Sequence, residues 1–145
     1  MLLSAEKITS NLLDWKNEYE TIAVICKDIQ ESKELVKNLE NVLEKQHGLK
    51  DYVNLFSEDN VEISGKVTVL PIEYAKGLEF DAVIIADASR ECYPSEDGYA
   101  KLLYVAVTRA LHELKVYHKG LLTGLIADSI PEDRKNAEFE EDNFH

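Results

Sequence analysis

Apolar and polar positions along this chain fall into two rhythms. Thr21-Ile22-Ala23-Val24-Ile25-Cys26 is a continuous apolar run of strand length, and Lys66–Ile72 and Ala82–Ala86 read as two more strands. Unbroken runs of this kind suit strands buried on both faces, as in a parallel sheet. Between them the period changes to 3.6. Residues 4–19 place Ile8, Leu12 and Trp15 at helical spacing, with Ser4 able to cap the start. Residues 29–46 carry Leu35, Val36, Leu39, Val42 and Leu43 on one side, with Asp28 ahead as a cap and Gly48 behind as a stop. Residues 99–113 predict a third long helix, whose Leu103, Ala106, Val107 and Ala110 share a face with Leu114. A short strand is expected at Tyr52–Phe56 and a closing strand at Leu114–Tyr117. Ser57–Asn60 reads as a polar turn, and residues 89–98 as a loop carrying Pro94 and Gly98. The alternation predicts an α/β fold: a mainly parallel sheet of about five strands with helices on both faces.

The chain has 145 residues and 45% hydrophobic content, which fits one domain with a true core. We place that domain at residues 1–127 and read 128–145 as an acidic, solvated, unstructured tail. No run of apolar residues is long enough to span a membrane, and the N-terminus lacks the pattern of a secretory signal. Cys26 and Cys92 stand alone, without metal-ligand spacing, and suit a reducing cytoplasmic setting.

Charge narrows the function classes. The formal net charge is −12, which argues against a free-standing nucleic-acid binder with a basic face. Residues 131–145 hold six acids against Arg134 and Lys135, so the body alone is still at −8. Only three arginines occur, Arg90, Arg109 and Arg134, and Arg109 lies within a predicted apolar helix. One reading of Arg109 is a local ion pair with Glu113, four residues on. Lys76-Gly77-Leu78-Glu79 separates two apolar strands. Open α/β sheets place ligands in loops at the carboxyl ends of their strands, and a glycine there admits close approach. The alternative for this loop is an ordinary charged turn. A phosphate-binding loop is not found: Gly65-Lys66 has the wrong neighbours, since Asn60 and Val67 stand where glycine and Ser or Thr are needed. The four histidines show no ligand spacing, and Cys92 reads as incidental.

Two stretches together carry a resemblance. Thr68–Phe80, with its Ala75-Lys76-Gly77-Leu78-Glu79-Phe80 core, resembles motif V of superfamily 1 DNA helicases of the UvrD/Rep type. Leu102-Leu103-Tyr104-Val105-Ala106-Val107-Thr108-Arg109-Ala110 resembles motif VI, and Ala23–Gln30 occupies the place of motif IV. Four positions depart from the family: Glu73 stands where histidine is common, Ala100-Lys101 where a pair of arginines is common, and Lys27 where arginine is usual. The resemblance implies a second RecA-like domain. It implies that Arg109 is the catalytic arginine reaching the γ-phosphate of ATP, that Gly77, Glu79 and Lys27 are ATP-binding, and that Tyr74 and Lys76 contact DNA. It further implies that ATP and Mg2+ are cofactors of a longer parent, none being expected in this chain alone. The N-terminal RecA-like domain of that parent and single-stranded or duplex DNA are the implied partners. A rival from another class is a non-catalytic α/β module that binds a nucleotide or a protein, or a domain of a degenerate helicase-like remodeller.

Overall fold

The computed structural model describes residues 5–56, 67–130 and 137–141. The expected turn at 57–60 lies outside them. Six strands, β1 (Ile22–Cys26), β2 (Val53–Leu55), β3 (Val67–Pro71), β4 (Phe80–Ile85), β5 (Ala110–His118) and β6 (Ala137–Glu141), form one sheet in the order β2-β3-β1-β4-β5-β6. Each neighbouring pair is parallel. The helices are α1 (Ala5–Trp15), α2 (Ile29–His47), α3 (Asp97–Val107) and the short α4 (Leu125–Ser129).

The unbroken apolar runs are the central strands. β1 and β3 are buried along their whole length because helices cover both faces. One face packs Ile22, Val24, Val69 and Ile84 against Ile8 and Leu12 of α1 and Leu35, Leu39 and Leu43 of α2. The other packs Ile25, Leu70, Val83 and Ile85 against Leu103, Ala106 and Val107 of α3 and Ile126 of α4. Odd and even residues of β1 thus serve opposite cores, as the period of two requires.

The ends of α2 follow from its sequence. The Glu31 amide donates to Asp28 Oδ1 at 2.8 Å, and the Lys27 amide donates to Glu31 Oε1 at 3.2 Å, a reciprocal cap. Gly48 closes the helix in the left-handed region, φ 66°, its amide donating to the Glu44 carbonyl.

Two expectations need correction. The third helix does not run to residue 113: α3 ends at Val107, and Ala110 opens β5 opposite Phe80. Ala110 and Leu114 are both buried, but a spacing of four is one helical turn and also two strand repeats, so periodicity alone cannot separate the two. Pairing with β4 decides it. The sheet is mainly parallel, as expected, and has six strands. The sixth falls in the presumed tail: Leu114–His118 of β5 pair in register with Ala137–Glu141. Ala137 packs against the α3 core, and Lys115 bonds Glu140 at 3.2 Å and pairs with Glu138 at 3.5 Å on the opposite face. Five residues with three acids carry too little apolar signal to announce a strand.

Candidate nucleotide and nucleic-acid interface

The motif-bearing loop 72–79 joins two parallel strands separated by β1. It therefore leaves the carboxyl end of β3 and must return to the amino end of β4. A 3-10 turn, Ile72–Tyr74, starts the return, and Ile72 and Ala75 pin it to the core. The sequence places Lys76–Glu79 at the carboxyl rim of the sheet. The structure instead puts them just before Phe80, at the amino rim.

Gly77 turns the chain at φ 85°, a conformation side chains rarely adopt. It is exposed, and a methyl group built there would meet no atom within 4 Å, so the space over this backbone is open. Lys76 and Glu79 are exposed and Leu78 is half-buried. Tyr74 is half-buried against Phe56, ring centroids 5.6 Å apart.

Arg109 meets this loop. It sits in the turn between α3 and β5, and its backbone carbonyl accepts from the Phe80 amide at 3.0 Å. Its Nε donates to the Val105 carbonyl at 3.0 Å, one guanidinium NH2 to the Leu78 carbonyl at 3.4 Å, and the other to Thr108 Oγ1 at 3.3 Å. Thr108 Oγ1 also reaches the Tyr104 carbonyl at 2.8 Å. The last carbonyls of α3 are thus satisfied by a hydroxyl and a cation, both favoured at a helix C-terminus. All three acceptors of the guanidinium are neutral. Among the described residues Arg109 forms no ion pair, and Glu113 is not its partner. A guanidinium has five N–H donors, so two remain for an incoming group, along with an uncompensated charge.

Lys27 lies elsewhere. It follows β1 at the carboxyl end, the opposite rim from Arg109, and pairs with Glu31 at 4.0 Å. Asp28 and Glu31 occupy the start of α2 with their own carboxylates, in the place where a phosphate would otherwise meet helix amides. Behind them Asp87, 6% exposed, accepts from the Ser89 and Lys119 amides and from the Cys92 thiol at 3.3 Å. Burial pushes the Cys92 thiol up to about 11, which leaves it protonated and inert at neutral pH. Burial also raises the Glu31 carboxyl, as do the charges of Asp87 and Asp28, against the opposing pull of Lys27.

The structure therefore brings together Gly77, Glu79 and Arg109, with Lys76 and Tyr74 on the same loop, and sets Lys27 apart. The contact between Arg109 and Leu78 spans 31 residues and has no local signal in the sequence. Thr108 was missed; a hydroxyl one residue before the arginine and four after Tyr104 was the available cue. Among the described residues no group of three or more His, Cys, Asp or Glu side chains could hold a metal ion, and no helix is long and apolar enough to cross a membrane.

Comparison with known proteins follows the same residues. Residues 66–117, which contain both the loop and Arg109, match the family described as UvrD-like helicase C-terminal domain. A solved structure described as the C-terminal domain of a possible DNA helicase from Lactobacillus plantarum WCFS1 is 33% identical, with a TM-score of 0.70. The match covers 93% of this chain and 76% of that one. No curated protein shows a significant match.

Proposed function

The chain belongs to the UvrD-like helicase C-terminal domain family, and from that premise we propose that it is the second RecA-like domain of an ATP-dependent superfamily 1 DNA helicase. In this reading it forms one wall of an ATP site whose other wall, with the phosphate cradle and the Mg2+ ligands, comes from an N-terminal RecA-like domain of the same parent. Single-stranded or duplex DNA is the substrate of that parent, contacted here through Tyr74 and Lys76.

The observation that carries the reading is the state of Arg109. A partly buried guanidinium is anchored at three points by neutral acceptors, keeps two donors free, and borders an open glycine turn. The anchors hold its orientation, so little rotamer entropy is lost when it meets an anion. Residues that fit a nucleotide beside it are Gly77, where the backbone lies open, and Glu79, exposed at the end of the same turn. Bound ATP supplies the phosphoryl group. Arg109 neutralises charge as that group transfers. Lys27 belongs to this site only if the parent's first domain bridges both rims. The carboxylates at the start of α2 disfavour a second phosphate site within this chain, consistent with a domain that completes a site rather than holding one.

Steady-state ATPase assays on the parent test the proposal. Arg109→Ala should lower DNA-stimulated kcat by about 10³, whereas Glu113→Ala should leave it within a few-fold. Equal effects of the two changes would sink the assignment.

A further inference from the structure

Beside the loop, between the 3-10 turn and α3, runs a trough of about 600 Å3 lined by Ile72, Glu73, Lys76, Lys101, Tyr104 and Val105, among others. Its size lies in the range that holds small ligands. Its floor is apolar, and Tyr104 stands out of it, 54% exposed. Lys101 lies one helical turn before Tyr104 on the same face of α3, and Lys76 approaches from the loop. Both lysines are exposed, and among the described residues neither is ion-paired, whereas Lys7, Lys27, Lys50 and Lys115 all are.

We propose that this trough holds one nucleotide of a single DNA strand, its base against the Tyr104 ring and its phosphates between Lys76 and Lys101. Every base has a π-face, so an exposed tyrosine over an apolar floor is a stacking platform without sequence preference, and flanking ammonium groups track the backbone. An apolar protein segment is the competing occupant. It would bury the two lysines without giving them counter-charges, which costs free energy, while phosphates bring the charges with them. Glu73 also lines the trough and repels phosphate, so the two lysines must outweigh it. The inference rests on the reading of Lys76 as a DNA contact and extends the strand's path from the loop onto α3.

Fluorescence anisotropy of a labelled short oligothymidylate, titrated with this chain at low ionic strength, tests it. Tyr104 and Lys101 are exposed, so their substitution leaves the core intact, and near-UV circular dichroism checks that it does. Tyr104→Ala should weaken binding about tenfold and Tyr104→Phe should restore it. Lys101→Ala should reduce the salt slope by about one. Affinity that falls in Lys76→Ala but not in Tyr104→Ala or Lys101→Ala overturns the trough while keeping the loop as a contact, and assigns the trough to protein. Insensitivity to all three changes overturns both. Absence of binding by the unsubstituted chain even at the lowest salt also overturns the trough.

Discussion

Arg109 has a structural task and, in the proposed reading, a chemical one, and they differ in size. Structurally it caps α3 and ties that helix to the loop before β4 through neutral hydrogen bonds. Removing it should lower the stability of this chain by about 1 kcal/mol. Urea denaturation of Arg109→Ala checks this, and a loss several times larger would mean the fold depends on it too heavily for a clean catalytic test. Arg109→Lys keeps the charge but loses the planar fork, so it should recover part of the stability and little of the parent's turnover. Gly77 works by conformation. At φ 85°, Gly77→Ala should cost about 1 kcal/mol, although the space above it is open. An unchanged denaturation midpoint would show that the turn tolerates a side chain.

At the scale of elements, the start of α2 gives a pH prediction. Glu31 has a carboxyl raised above its ordinary 4.5, first by burial and then by the charges of Asp87 and Asp28. A carboxyl raised in the folded state opposes folding once it must ionise. Below the ordinary value both states are protonated and nothing is lost. As pH rises through that value the unfolded chain ionises first, and stability falls until folded Glu31 has ionised too. Glu113 is raised likewise, by burial and then by Glu138 and Glu18. Glu140 works the other way: despite some desolvation, the hydrogen bond and charge of Lys115 lower its carboxyl. The Tm of this chain should therefore rise as pH falls from neutrality to about 5. Glu31→Gln should raise the neutral-pH Tm and flatten that dependence. A variant as pH-sensitive as the original would show that the burial at this cap carries no such penalty.

Elements were legible where one signal dominated. β1 and α2 were bounded within a residue or so, because an uninterrupted apolar run and a capped, glycine-stopped amphipathic stretch each have a single interpretation. The junction of α3 and β5 was not, because Ala110 and Leu114 satisfy both periods and only the partner strand breaks the tie. β6 was missed because its alternation of Ala137 and Phe139 with Glu138 and Glu140 is short and acidic. The candidate site was half legible. Its residue types followed from the two motifs, but their meeting depends on how a connection between non-adjacent parallel strands returns across the sheet. That is a property of topology, which no window of sequence contains.

At the scale of the whole molecule, a domain at −12 that in the proposed reading borders a nucleotide without a phosphate cradle should not hydrolyse ATP alone. The purified chain should show no ATP turnover above background, and clear DNA-stimulated turnover would contradict the two-domain account. Its hold on single-stranded DNA should be weak at physiological salt and should collapse as salt rises, because few cations release counterions against so much like charge. Tight binding at that salt would require a basic surface that the described residues do not present. The central claim is that Arg109 acts on the phosphoryl group in flight rather than on the bound nucleotide. An interaction made only in the transition state should be felt by a transition-state analogue and not by the product. The direct measurement is the affinity of the full-length parent, with and without Arg109→Ala, for ADP and for ADP with aluminium fluoride. The account predicts that the substitution weakens the aluminium fluoride complex by about 10³ and leaves ADP affinity within a few-fold. Equal losses for the two ligands, or none for either, would contradict it.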